Sequence, residues 1–193
     1  MLQVNELYPI FLKTEQLEFL IVGGGNVALE KLEFLLKSSP NAKITMIAPF
    51  YREATLDFVS KRPNVKLIHR TFNRFFLKGK HVVIATTDKP VVNKRVHYFC
   101  KKKRILVNVA DTPDLCDFYM GAIVTKGNLK IGISTNGKSP TLAKRIRQFL
   151  EELLPEEVND LLDTLQNYRN TLNGDFEFKV SEMNKVTKSI LEK

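Results

Sequence analysis

Apolar residues along the chain fall into short runs separated by glycine, proline and charge, and the runs alternate between two periods. Leu17, Phe19, Leu20, Ile21 and Val22 form a run too compact for a helix, and Gly23-Gly24-Gly25 breaks it. Beyond the break Ala28, Leu32, Leu35 and Leu36 recur at i, i+4, i+7 and i+8, the spacing of a helix face that packs on a sheet. The pattern then repeats. Ile44 to Ala48 predicts a strand, Glu53 to Ser60 a helix, Val65 to Ile68 a third strand and His81 to Ala85 a fourth, followed by a helix over Lys89 to Cys100 and a fifth strand over Ile105 to Val109. Nearly continuous apolar strands joined by helices predict an α/β protein with a Rossmann-like, doubly wound parallel sheet. Ahead of it, Asn5 to Lys13 is expected as a lead-in whose Tyr8, Ile10, Phe11 and Leu12 pack against the sheet.

From Phe118 the rhythm changes. Ala122 to Thr125 and Leu129 to Ser134 flank Gly127-Asn128, with Leu129, Ile131 and Ile133 alternating with Lys130, Gly132 and Ser134, so a β-hairpin with a two-residue type II′ turn is predicted. A hairpin leaves an edge that a second copy can cover, which makes it a candidate dimerisation region. Ser139 is then a good N-cap with Pro140 at the first helical position, and Leu142, Ile146, Phe149, Leu150 and Leu153 mark one face of an amphipathic helix. Pro155 ends it. Val158, Leu161, Leu162 and Leu165 begin a helical tail, and a last helix starts near Lys179. The organisation read from these patterns is a Rossmann-like domain over 1–112, a β-hairpin dimerisation region over 113–139 and a C-terminal helical region over 140–193.

Composition narrows the class. Thirteen Phe without Trp is ordinary for a globular protein, and nothing resembles a membrane span or a signal peptide, so no membrane role and a cytoplasmic location are expected. Cys100 and Cys116 form no CxxC and read as reduced thiols. Thirty basic residues against twenty-one acidic give a net charge of +9, which favours polyanionic partners. The densest cluster, Lys101-Lys102-Lys103-Arg104, reads as a solvated connection after a helix, and no nucleic-acid-binding signature accompanies it.

The candidate chemistry begins at the glycine break. Gly23-x-Gly25-x-x-Ala28 matches the dinucleotide fingerprint in its required strand-turn-helix setting, and Asn26 and Val27 open the helix whose N–H groups face an anion. The second strand ends in Pro49-Phe50 rather than in the acid that usually grips the adenosine ribose, so NAD over NADP is not decided by the motif. Thr86, Thr87 and Asp88 end the fourth strand, where ligands of open sheets bind; Thr87 or Asp88 also qualifies as the N-cap of the next helix. Asn108 and Asp111 follow from the fifth strand. Gly132-x-x-x-x-Gly137-Lys138-Ser139 satisfies the P-loop spacing, but its strand context and Pro140 are wrong for one. His69, His81 and His97 lack metal-ligand spacing, so no resident metal is expected.

Taken in order, Val22 to Ala28, Ala85-Thr86-Thr87-Asp88, Asn108-Val109-Ala110-Asp111 and Ser134-Thr135-Asn136-Gly137-Lys138-Ser139-Pro140 resemble the precorrin-2 dehydrogenase family, which includes bifunctional dehydrogenase/ferrochelatases and the N-terminal half of siroheme synthase. The resemblance runs from about Tyr8 to Pro155. It implies NAD-dependent oxidation of precorrin-2 to sirohydrochlorin, a homodimer, and Asp111 as the acid/base group. Some members also insert Fe²⁺ and others only dehydrogenate; both remain open here. Gly23, Gly25, Asn26, Val27, Ala28, Pro49, Phe50, Thr86, Thr87 and Asn108 are then expected on the cofactor. Ser134, Thr135, Lys138, Ser139 and Arg145 are expected on the octacarboxylate substrate, with Lys144 and Arg147 adding charge. Thr135 corresponds to a regulatory serine of some siroheme synthases. The rival readings are a non-catalytic NAD-sensing module, which has no use for Asp111, and a basic nucleic-acid-binding protein.

Overall fold

A computed structural model describes residues 4–188; the ends of the regions expected over 1–112 and 140–193 lie outside the described residues. The chain divides into two compact units, one running to Met120 and taking in Asn136–Lys138, the other formed by Gly121–Thr135 and the chain from Ser139 onward.

In the first unit, β1 (Glu18–Val22), β2 (Lys43–Ala48), β3 (Val65–His69), β4 (Val82–Ala85) and β5 (Leu106–Val109) form one sheet in the order β3-β2-β1-β4-β5. All four pairings are parallel, with Val22 opposite both Ile47 and Ala85, and Val83 opposite Val107. Three helices, α1 (Asn26–Ser38), α2 (Glu53–Ser60) and α3 (Pro90–Lys103), connect the strands. The period of two explains why the runs are apolar throughout. Phe19, Ile21, Ile44, Met46 and Ile84 pack with Leu32 and Leu36 of α1 and Val59 of α2. Their neighbours Leu20, Val22, Ile47, Val83 and Val107 pack instead with Val96 and Cys100 of α3 and with Leu77 of a 3-10 turn, Arg74–Leu77. The sheet is therefore doubly wound, as the alternation predicts.

Because both faces are filled by these elements, the lead-in has no sheet surface left to cover. Tyr8, Ile10, Phe11 and Leu12 are all exposed, contrary to the expectation that they pack against the sheet. The free side of edge strand β5 is met by Asp117, whose N–H donates to the Val107 carbonyl at 2.7 Å and whose Oδ2 accepts from the Val107 N–H at 3.1 Å.

The second unit holds an antiparallel hairpin, β6 (Ala122–Lys126) and β7 (Leu129–Ile133), and three helices, α4 (Pro140–Leu153), α5 (Val158–Thr171) and α6 (Phe176–Thr187). Gly127 has φ +54° while Asn128 stays at negative φ, which suits a II′ turn. Ser139 caps α4 by accepting from the Leu142 N–H at 3.2 Å, as its position predicts. The last helix begins at Phe176, three residues before the expected Lys179, because Asp175 caps it by accepting from the Phe178 N–H at 2.8 Å. Among the described residues of this unit only Val124 and Ala143 are buried. No helix among the described residues is long and apolar enough to cross a membrane.

Tyr51, just past β2, is buried in the first unit, and its hydroxyl donates to the Ile68 carbonyl at 3.0 Å. Burial outweighs its hydrogen bonds to backbone and lifts the phenol from 10.0 to about 12; burial and the nearby Asp117 charge lift the Cys100 thiol from 9.0 to about 12. The folded chain keeps both protons to higher pH than the unfolded chain. The associated stability is complete below pH 9 and declines as pH rises toward 12. Denaturant titrations are expected to record this decline. Tyr51→Phe is expected to flatten it between pH 10 and 12 and to cost about 1 kcal/mol at neutral pH for the lost hydrogen bond; an unchanged slope would refute the assignment.

Candidate functional site

The site is built at the carboxyl edge of the parallel sheet, where β1 and β4 lie side by side and the chain changes winding direction. Two of the three consecutive glycines there answer steric demands, and the third faces open space. Gly23 has φ +139° and a Cβ on it would come within 2.3 Å of Thr86 Oγ1. A Cβ on Gly24 would lie 2.1 Å from the Phe50 carbonyl oxygen and 2.9 Å from the Ala48 Cβ. A Cβ on Gly25 would meet nothing within 4 Å.

Gly25 is the N-cap of α1, and no side chain caps that helix. Asn26, Val27 and Ala28 form its first turn, and Ala28 is fully buried, so the helix sits close to the sheet. The open space over Gly25 and the uncapped helix start together make a cradle that a side chain at position 25 would fill. Its chemistry, backbone N–H groups and a helix dipole without a carboxylate, fits a pyrophosphate.

The rim comes from the neighbouring strand ends. Pro49 and Phe50 follow β2 and are exposed, the Phe50 ring at 73 %. Thr86, after β4, is buried and donates from Oγ1 to the Val22 carbonyl at 3.0 Å, which ties β4 to the glycine turn. Thr87 pairs with Asn93. Its Oγ1 donates to Asn93 Oδ1 at 2.7 Å and the Asn93 amide donates back to the Thr87 carbonyl at 2.9 Å. Neither Thr87 nor Asp88 caps α3, as was expected of one of them; Pro90 fixes the first helical position, so the N-cap is Lys89, and it makes no side-chain cap.

Asn108 is buried in β5, and its Nδ2 donates to the Phe118 carbonyl at 2.8 Å. Asp111 stands beyond the same strand at φ +55°, exposed, and its carboxylate makes no hydrogen bond or ion pair among the described residues. One strand, β4, separates β5 from β1. The ends of β5 and β1, which lead to Asp111 and to the glycine turn, are thus two strand spacings, about 10 Å, apart along one edge.

The residues expected on the substrate are less gathered. Thr135 and Ser139 meet in the second unit, where Thr135 Oγ1 donates to the Ser139 carbonyl at 3.0 Å and accepts from the Ser139 N–H at 3.2 Å. Ser134 is exposed, and Arg145, about one and a half turns along α4, donates to Gln148 at 3.3 Å. Lys138 is exposed and falls with Asn136 and Gly137 in the first unit. Arg147 is paired with Glu151. Gly132 lies inside antiparallel β7, which rules out a P-loop, since that motif leaves a parallel strand for a helix.

The positive charge is also not concentrated on α4. Residues 61–104 carry fourteen Lys and Arg against the single acid Asp88, while the rest of the chain has sixteen against twenty. The surplus lies on the segment from β3 through α3, and of its terminal cluster Lys101 pairs with Asp117 at 2.6 Å. Among the described residues no three His, Cys, Asp or Glu side chains gather as a metal site.

A parallel sheet in this order, with an uncapped glycine turn at its switch point, defines the first unit as a dinucleotide-binding domain of the Rossmann class. The chain belongs to the putative NAD(P)-binding family, whose model matches residues 10–122; residues 126–153 match the sirohaem biosynthesis protein central region. It is 39% identical over 190 residues to a siroheme synthase of Psychrobacter sp. (strain PRwf-1), covering 91% of this chain and 38% of the relative. A siroheme synthase of Psychrobacter cryohalolentis is 38% identical over 173 residues, covering 90% of this chain and 32% of the relative. The chain thus spans about a third of the length of these curated relatives. The solved structure of SirC, a precorrin-2 dehydrogenase, superposes with a TM-score of 0.71 at 25% identity, covering 93% of this chain and 89% of that one.

Several residues that build the site carry little signal in the sequence. Gly24 falls on a free position of the fingerprint, and its need is set by Phe50, which is distant in the chain. Asn93 and Cys116 reach back to the rim only after α3 and the β5 loop have folded. Gly25→Ala, at φ −88° and with open space, is expected to leave thermal stability within a few degrees but to weaken dinucleotide binding at least about tenfold. Gly24→Ala is expected to lower the melting temperature sharply, since its clash is with backbone. Calorimetric titration with NAD⁺ and thermal melts of both variants check the contrast; equal behaviour would sink it.

Proposed function

We propose that the protein is an NAD-dependent precorrin-2 dehydrogenase acting in siroheme biosynthesis. The observation that carries the reading is Asp111: an unpaired, exposed carboxylate in left-handed backbone on the same sheet edge as a pyrophosphate cradle. The likeness to siroheme synthases and to SirC supports precorrin-2 as the substrate. Oxidation of precorrin-2 to sirohydrochlorin removes two electrons and two protons. Bound NAD⁺ would supply the acceptor for one hydride, the two electrons and one proton; Asp111 is the group assigned to receive the remaining proton.

Gly23, Gly25, Asn26, Val27 and Ala28 are assigned to the pyrophosphate, Pro49 and Phe50 to the adenosine end, and Thr86, Thr87 and Asn108 to the floor of the site. Thr86, Thr87 and Asn108 act chiefly through the backbone that they hold, since their side chains are engaged within the protein. Ser134, Thr135, Lys138, Ser139 and Arg145 are assigned to the carboxylate arms of the substrate. Insertion of Fe²⁺ into the product is a separate proposal, with the iron as substrate and Asp111 accepting pyrrole protons. Two free thiols fit a reducing, cytoplasmic compartment.

We also propose a homodimer formed through the second unit, within the hairpin region 113–139 and α4. Leu142, Ile146, Phe149 and Leu153 make a continuous exposed stripe on α4, with Phe149 at 61 % and Leu153 at 62 %, in a unit with almost no buried core of its own. Sedimentation is expected to give a dimer for the wild type, and Ile146→Glu/Phe149→Glu a species of half the mass; a monomeric wild type would refute it.

The enzymatic reading is tested by anaerobic turnover of freshly generated precorrin-2 with NAD⁺, following NADH and sirohydrochlorin. Asp111→Asn is expected to bind NAD⁺ normally and to lose at least about a hundredfold in kcat. Binding of NAD⁺ without any turnover by the wild type would make the chain an NAD-sensing module. A second stage with Fe²⁺ tests chelation.

A further inference from the structure

The loop that carries Asp111 leaves β5 and returns to it within a few residues, and the return is fastened at several points. The Cys116 sulfur accepts from the Val109 N–H at 3.3 Å and from Asn108 Nδ2 at 3.5 Å. As a donor the thiol has two carbonyls within reach, Val109 at 3.2 Å and Thr112 at 3.4 Å. Asp117 brackets Val107 through both its backbone and its carboxylate, and the Phe118 carbonyl takes the Asn108 amide. Residues 116–118 are thus laced onto residues 107–109. The six residues between form a closed loop, pinned inside by the Thr112 N–H donating to Val109 at 3.2 Å and by the 3-10 turn Pro113–Leu115.

Asp111 sits in that loop at φ +55°, a left-handed conformation that a residue with a side chain keeps where its surroundings constrain it. The lacing supplies that constraint. Asn108 and Val109 at the end of the strand, and Thr112, the residue after Asp111, are bonded to one sulfur atom. Burial and the Asp117 charge keep this thiol above its ordinary 9.0, so it stays protonated at neutral pH and retains the hydrogen that it donates.

We infer that Cys116 is a positioning residue: its thiol, bonded to Asn108, Val109 and Thr112, holds Asp111 in its left-handed conformation at the sheet edge, without itself touching substrate or cofactor. The inference rests on the assignment of Asp111 as the proton acceptor. It gives a function to a cysteine that forms no disulfide and whose raised thiol makes it a poor nucleophile.

The test uses the whole 193-residue chain with Cys116→Ala, Cys116→Val and Cys116→Ser. Alanine and valine remove the donor and acceptor, valine while still filling the space; serine keeps both on a shorter bond. Amide spectra of ¹⁵N-labelled protein are expected to show residues 110–115 displaced in the alanine and valine variants while Gly23–Ala28 stay in place. In anaerobic turnover both are expected to lose about 10- to 100-fold in kcat, the scale of a misplaced catalytic group, with the Kd for NAD⁺ within about twofold of wild type. Serine is expected to hold kcat within about threefold.

Unmoved amides over 110–115, or equal displacement of Gly23–Ala28, would overturn the inference. So would wild-type kcat in a variant whose loop has moved, provided Asp111→Asn is inactive. If Asp111→Asn itself turns over normally while the loop moves in the alanine and valine variants, the catalytic assignment of Asp111 fails and the hold of Cys116 on the loop stands.

Discussion

The approach of three backbone segments at Gly23 and Gly24 is the constraint on which the rest depends. The end of β1 must pass beneath Thr86 of the β4 end and beside the Phe50 carbonyl of the β2 end, and neither passage leaves room for a Cβ. Once β1 is seated this way, α1 starts where the sheet reverses direction, and its uncapped N–H groups face the open space over Gly25. The same packing that closes the sheet leaves the anion cradle open. Thr86 then serves both the sheet and the turn with a single hydrogen bond to Val22.

Charge and apolar surface are divided unequally over the molecule. The first unit satisfies itself, with two packed layers and only scattered exposed apolar side chains beyond the lead-in. The second unit does not: its hairpin and α4 bury little, and the best amphipathic face in the chain is the one left exposed. An apolar stripe of that length is costly in water, which is why a partner surface is the economical reading. The surplus of positive charge lies on neither α4 nor the glycine turn but on the segment from β3 through α3.

The carboxylate proposed for catalysis and the side chains that hold it illustrate a division common to such sites. Asp111 is exposed and makes no side-chain bond among the described residues, while Asn108, Cys116 and Asp117 around it are bonded several times over. Rigidity is supplied by residues that do no chemistry, and the group that must meet a ligand is left available.

Periodicity alone determined a large part of this protein. Apolar runs of four to six residues joined by helical spacing specify a parallel sheet, because such strands must bury both faces, and the glycine break at the end of the first run locates the dinucleotide turn. Gly127-Asn128 and Ser139-Pro140 were legible for the same reason: turn type and helix capping depend on residues a few positions apart. Tertiary structure alone decided what depends on distant partners. The lead-in lost its place on the sheet because helices had already filled both faces. Thr87 took Asn93 as its partner because Pro90 fixed the helix start one residue on. Gly24, Tyr51 and Cys116 gained their roles from Phe50, Ile68 and Val109, and no local pattern encodes a contact that exists only once strands far apart in the chain lie side by side.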